Sequence, residues 1–215
     1  MSIGLAWNRY KSRKSRKGIC LDFLFLSLIV LLCVPSLRRA ALTECLRLTL
    51  QSPKPYDKIL YLTPSDSILL LTALGADTLI TFPPTKPTIF NIGDVWHVQT
   101  RAELKSLNAL ARSFHEQINV FHLSVCNIAD AIDYTHSRHF SNIRCLQLNI
   151  PPDEAELMPT SKVGLNELAS CLPATMVVDT DGRVVIKKVG AALWTSPKVV
   201  EIINSMVSEQ TPPNP

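Results

Sequence analysis

"TIFNIGDVWHVQTRAELKSLNALA", Thr88 through Ala111, passes from a strand pattern to a helical one. Thr88–Ile92 is β-branched and aromatic, the composition of a strand buried in a sheet. Beyond it, Leu104, Leu107, Ala111, Phe114 and Ile118 recur at spacings of three and four, with Leu110 beside them. Arg101, Lys105, Asn108 and Arg112 fall largely on other faces, so the segment reads as an amphipathic helix. "INVFHLSV", Ile118–Val125, is a second strand pattern, and β-α-β becomes the unit around which the chain is organised.

Toward the C-terminus, "NIADAIDYTHS" reads as a helix and "IRCLQLNI" as a strand ending at Pro151-Pro152. "SKVGLNELAS" reads as a short helix leading to Leu172-Pro173. "ATMVVD" and "RVVIKKV" are strands joined at Asp179-Thr180-Asp181-Gly182, a tight turn in which glycine accepts the positive φ. Ser196 caps a final helix with Pro197 in its first turn, and Val199, Val200, Ile203, Met206 and Val207 form its apolar stripe. Toward the N-terminus, "KILYL" and "SILLL" flank Thr63-Pro64-Ser65-Asp66 as a hairpin-like lead-in, and "DTLITF" adds a strand before the "PPTKP" break. The expected class is α/β, a mixed central sheet flanked by helices.

The 215 residues suit one domain with an appended segment; 47% are hydrophobic and 19% charged, a globular composition. Net charge is +4, yet Lys11, Arg13, Lys14, Arg16 and Lys17 cluster immediately before an apolar run. That run, Ile19–Leu37, is broken only by Asp22. Basic residues in front of an apolar run indicate membrane topology, and no motif for nucleic acid accompanies them. The run reads as a signal-anchor helix, or as a signal peptide cleaved near Val34-Pro35-Ser36. Either reading exports the folded part, where disulfides are permitted. The expected division is a basic cytoplasmic segment at 1–18, the anchor or signal at 19–37, a linker at 38–55, the domain at 56–210 and a tail at 211–215. Arg38–Leu50 can continue as helix before the "SPKP" linker.

Three stretches together resemble the membrane-anchored, thioredoxin-fold proteins of the TlpA and ResA type. "TIFNIGDVWHVQTRAELKSLNALA" is similar to that family's strand, its W-C-x-x-C-R-A-E turn and its first helix. "CLPATMVVDTDGRVV" resembles the segment in which a cis-proline precedes a strand ending in I-D-x-D-G, and "VGAALWTSPKVVEIINSMV" resembles the closing turn and helix. The likeness covers Thr88 to Val207 and implies a thioredoxin-like fold and an exported domain. It implies a cis Pro173 facing the turn, with neighbouring backbone that pairs with bound peptide by strand addition.

Matching W-C-x-x-C-R-A-E to Trp96–Glu103 puts His97 at the attacking cysteine and Thr100 at the resolving one. Thiol–disulfide exchange needs a thiolate that attacks sulfur and a second thiol that displaces it. A helix N-terminus favours the thiolate, but it disfavours a protonated imidazole and does nothing useful for an alcohol. Thr100-Arg101-Ala102-Glu103 also fits a capping box, a purely structural reason for the threonine.

Cys20, Cys33, Cys45, Cys126, Cys145 and Cys171 are the cysteines, and no two stand at Cys-x-x-Cys spacing. Cys20 and Cys33 read as packing residues of the apolar run. Cys126 and Cys145 read as buried thiols or one structural disulfide. Cys171, two residues before Pro173, is the candidate for an atypical catalytic thiol. His136 and His139 are spaced for one helix face, but two histidines without a third ligand do not define a metal centre. Trp96 and Trp194 are expected to pack, and Asp94 to be exposed.

The expected function is therefore an exported, membrane-tethered thioredoxin-like protein without dithiol chemistry, needing no cofactor. It would bind a peptide or an envelope protein through Trp96, His97, Val98, Gln99, Thr100, Leu172 and Pro173. Two alternatives stand beside it: an oxidoreductase built on Cys171, and a metal- or haem-handling accessory in cytochrome maturation.

Overall fold

A computed structural model of the chain describes residues 15–72, 74–125, 127–148 and 173–209. Its contacts divide the chain into two units, Met1–Cys45 and Leu46–Pro215.

In the first unit the apolar run is not one helix. Helix α1 spans Arg16–Cys33, and α2 spans Pro35–Thr49, extending into the second unit. Val34 between them is extended, at φ −96° and ψ 107°. The cause is Pro35: its ring disfavours helical geometry at the preceding residue, whereas its fixed φ suits the first position of a new helix. No single helix among the described residues is long and apolar enough to cross a membrane. Arg16–Val30 and Pro35–Thr49 meet that test as a pair bent by 100°.

The second unit is built on a seven-stranded sheet in the order β2-β1-β5-β4-β3-β6-β7. The strands are β1 (Ile68–Leu71), β2 (Asp77–Ile80), β3 (Thr88–Gly93), β4 (Asn119–Ser124), β5 (Arg144–Leu148), β6 (Ala174–Val178) and β7 (Val184–Val189). β3, β4 and β5 run parallel, while β6, β7, β1 and β2 join antiparallel, so the sheet is mixed. α3 (Val98–Phe114) connects β3 to β4, α4 (Ile128–Ser137) precedes β5, and α5 (Pro197–Ser208) closes the chain. The mixed α/β architecture expected from the sequence is thus present.

Alternation along the strands sends residues to two cores. On one face Ile89, Val120, Val177 and Ile186 meet Leu104, Leu107 and Leu110 of α3, Ala131 of α4, and Val199 and Ile203 of α5. On the other, Phe90, Ile92, Leu123, Met176 and Val178 pack with Leu62, Leu70 and Phe82.

The lead-in departs from expectation. "SILLL" pairs with "DTLI", and "KILYL" forms no strand of its own. The latter segment instead runs beside β7, with a Tyr61–Arg183 bridge and bonds from Val184 N–H to the Leu60 carbonyl and Leu62 N–H to the Gly182 carbonyl. It covers a sheet edge that would otherwise offer unpaired backbone groups. The Asp179–Gly182 turn forms as read, with Gly182 at φ +83°. A Cβ there would run into the Leu62 carbonyl. Ser196 occupies the cap of α5 but makes no capping bond; its hydroxyl lies 2.8 Å from that of Ser52.

Candidate functional site

β3 ends at Gly93 and β6 begins at Ala174. Because Ile92 pairs antiparallel with Ala174, the turn after β3 and the residue before β6 come to the same end of the sheet. Trp96–Thr100 and Pro173, far apart in sequence, are brought together there. Pro173 is buried, and its carbonyl accepts from Gly190 N–H at 2.7 Å. Leu172, Cys126, Cys171 and the Ser161–Ser170 helix pattern lie outside the described residues, and with them the isomer of the Leu172–Pro173 bond. Among the described residues the cis bond is Phe82–Pro83.

α3 begins at Val98 with His97 as its cap, a turn earlier than a capping box at Thr100 requires. That expectation is overturned. Thr100 sits inside the first turn, fully buried, and its hydroxyl has no hydrogen-bond partner. It presses on Gly93: a Cβ there would lie 2.9 Å from both Thr100 Cγ2 and Oγ1. His97 and Gln99 are exposed and Val98 is partly so. The position matched to the attacking cysteine is thus open to solvent, and the one matched to the resolving cysteine is sealed.

Trp96 is half-exposed rather than packed away, and its indole N–H donates to Asp130 of α4 at 3.1 Å. Asp94, expected to be exposed, is 9% exposed and accepts from Trp96 N–H at 2.8 Å. Arg101 Nε donates to the Val95 carbonyl, and its guanidinium lies 4.8 Å from the Tyr134 ring centroid, a cation–π contact. Helix α4 therefore braces the turn from outside.

Beneath the turn lies a buried polar row. Asn91 of β3 pairs in register with His122 of β4 and Thr175 of β6, and all three are fully buried. α3 supplies Glu103, the glutamate of the motif, also fully buried. Its carboxylate accepts from Trp194 Nε1 at 2.6 Å, Asn91 Nδ2 at 2.8 Å and Thr175 Oγ1 at 3.1 Å. Trp194 is packed, as expected, and this bond satisfies its polar end.

Since Asn91 gives its N–H groups to Glu103 and Thr175, its oxygen faces His122 Nδ1, 2.8 Å away. That arrangement assigns the proton to Nδ1 and leaves Nε2 as a buried lone pair without a partner. Burial pushes the Glu103 carboxyl up to about 7, against the opposing bonds from Trp194, Thr175, Asn91 and the Ala192 backbone. Burial pushes His122 down to about 4, despite its bond to Asn91 and the nearby Asp94 charge. At neutral pH His122 is uncharged, and Glu103 lies near its midpoint.

The remaining chemical candidates are elsewhere. Cys145 is a free thiol, one of the two states expected for it. It is half-buried 3.5 Å from Thr135 Oγ1 under α4, and burial raises its pKa, which keeps it a thiol. His136 and His139 are exposed, with His139 beyond the end of α4. Among the described residues no group of three His, Cys, Asp or Glu side chains could hold a metal ion.

No family model matches the chain, and no curated protein matches it. Solved structures do. A DsbF homologue from Corynebacterium diphtheriae is 16% identical, with a TM-score of 0.51 over 72% of this chain and 93% of that one. The thioredoxin domain of a thiol–disulfide oxidoreductase from Bacteroides vulgatus is 12% identical, with a TM-score of 0.50 over 70% of this chain and 99% of that one. A second thiol–disulfide oxidoreductase structure from the same organism is 17% identical, at 0.50 over 70% and 99%. At these identities the likeness is one of fold: the second unit has a thioredoxin-like fold, and thiol–disulfide oxidoreductases are among its structural neighbours.

Proposed function

We propose that this chain is an exported, membrane-tethered protein of the TlpA type that has exchanged dithiol chemistry for binding. Its recognition surface is the turn Trp96–Gln99 beside Pro173, and its partner is an extended peptide or an envelope protein. One observation carries the reading: Thr100 is fully buried against Gly93 while His97 is exposed, so the mouth of α3 holds neither an attacking nor a resolving sulfur. Exchange run from that place would have to form a mixed disulfide, and neither side chain can.

The surroundings suit recognition. Trp96 offers a large half-exposed ring held by Asp130 and by the Asp94 turn, so little rotamer freedom is lost on binding. His97 and Gln99 add polar groups on the same turn. The basic cluster before an apolar helix supports the tether.

The test is capture from native membranes by the full chain, with and without reductant, alongside a disulfide-reduction assay. Partners retained under both conditions and lost on Trp96→Ala are expected. A partner released only by reductant, together with turnover abolished by Cys171→Ser, would replace binding with chemistry at that cysteine.

A further inference from the structure

The two edges of the sheet differ. β7 is covered by the segment through Leu60 and Leu62, which bonds to its backbone and to the turn before it. β2, at the opposite edge, pairs with β1 alone among the described residues. It carries no proline, lysine or bulge, devices that keep an exposed edge from pairing.

The β1–β2 hairpin decides which backbone groups are open. Thr72 N–H donates to the Ala76 carbonyl at 2.9 Å, and Gly75 N–H, at φ +73°, donates to the Thr72 carbonyl at 3.0 Å. Thr72 and Ala76 therefore form a hydrogen-bonded pair, in one register with Leu70↔Thr78 and Ile68↔Ile80. Bonding alternates along an antiparallel ladder. Thr78 and Ile80 thus turn their N–H and C=O groups toward β1, while Asp77, Leu79 and Thr81 turn theirs outward.

The side chains along this edge are apolar and open. Leu79 stands opposite Leu69 on one face of the hairpin, and the two are 58% and 40% exposed. Leu74, at the hairpin tip, is 95% exposed. A groove of about 430 Å³ runs along the same edge, and Leu79, Thr81, Pro83 and Pro84 are among its lining residues.

These features complement one another about a two-fold axis. If Leu79 meets its own copy, Asp77 falls opposite Thr81, whose hydroxyl can donate to the carboxylate, and no like charges face each other. The same register brings Leu74 level with Pro84 at the groove, so the knob of one copy meets the hole of the other. Leu69 and Leu79 of both copies then form one continuous row. Moving the axis to Thr78 or Ile80 would set Leu79 beside Asp77 or Thr81 instead. A two-fold interface demands such self-complementarity, whereas an unrelated peptide gives no reason for it.

We propose that β2 pairs antiparallel with β2 of a second copy of this chain, about a two-fold axis at Leu79. The outward N–H and C=O groups of Asp77, Leu79 and Thr81 supply the main-chain bonds, and the leucine row and the Leu74 contact supply apolar burial. Four strand residues make a weak pairing, so the dimer exchanges with monomer.

The experiment is sedimentation of the full chain in density-matched detergent over a concentration series, with Leu79→Lys and Leu79→Asp beside the parent. Leu79 is exposed, and thermal melts matching the parent's separate folding from pairing. The parent should form a concentration-dependent dimer. Each variant alone places like charges opposite each other and should dissociate at least about tenfold more readily. Mixed in equal amounts, the lysine and aspartate variants should associate again, because the axis sets one against the other.

A parent monomeric throughout the series would overturn the proposal, as would a dimer that Leu79→Lys leaves intact. Two variants that stay apart when mixed would overturn the register at Leu79. A monomeric parent whose Leu79 amide gains hydrogen-exchange protection only when membrane extract is added would give this edge to another protein, and self-pairing would fall.

Discussion

Glu103→Gln separates the charge of the buried carboxyl from its shape. Glu103 is raised from 4.5 to about 7, so the folded state binds more protons than the unfolded one between those values. Its contribution to stability is fully present at low pH and is lost as pH rises through the folded value; between about pH 5.5 and 8 the loss is about 2 kcal/mol. His122 has the opposite sign. Lowered from 6.5 to about 4, it binds fewer protons when folded. It therefore adds about 1.5 kcal/mol of stability over the same rise in pH. Over this rise in pH the parent chain should therefore lose about 2 kcal/mol relative to the variant, which keeps His122 but not the Glu103 carboxyl.

The new amide can be seated. Its oxygen accepts from Trp194, and its NH2 donates to the oxygen of an Asn91 amide that has turned over, which also accepts from the Thr175 hydroxyl, with His122 taking its other tautomer. Urea unfolding of the full chain in detergent micelles, followed by tryptophan fluorescence at the two pH values, measures the difference. Groups common to both proteins cancel in it. Parallel stability curves for parent and variant would refute the assignment of this titration to Glu103.

Other expectations follow from the same geometry. Gly93→Ala drives a Cβ into Thr100 and should cost about 1–3 kcal/mol, and adding Thr100→Ala should recover most of it in a double-mutant cycle of thermal melts. Asn91→Ala strips partners from Glu103, His122 and Thr175 at once; a loss of about 2–4 kcal/mol in urea titrations is expected, well above a surface change. Trp96→Ala should lower stability by less than about 1 kcal/mol, because the ring is half-exposed and its N–H bond to Asp130 is solvent-accessible. The same variant should weaken partner retention at least about tenfold, as loss of an aromatic anchor does.

Much of the fold was legible because periodicity reports local geometry. Leu104, Leu107, Ala111 and Phe114 announced α3, and the Asp179–Gly182 turn announced the β6–β7 hairpin. What the sequence left open depended on tertiary choice. "KILYL" and "SILLL" are equally apolar, and nothing local says which will pair with "DTLI". Thr100-x-x-Glu103 matches a capping box, but the motif does not reveal where the helix begins; once α3 starts at Val98, both residues turn inward. The Asn91–His122–Thr175–Glu103 cluster was missed because its members come from three strands and a helix, adjacent only through sheet order. A signal was available: Asn91, His122 and Thr175 are polar residues at core-facing positions of otherwise apolar strands. The helical break was also readable in Pro35, near the end of the apolar run, whose ring disfavours helical geometry at Val34.

The most direct measurement compares the unaltered full chain with His97→Cys/Thr100→Cys in reduction of a protein disulfide by a thiol donor. Restoring sulfur at the exposed cap and at the buried first-turn position should create turnover where the unaltered chain shows none above the uncatalysed rate. Turnover by the unaltered chain equal to that of the double variant would contradict the account, because the chain would then run exchange chemistry from a cysteine outside this turn.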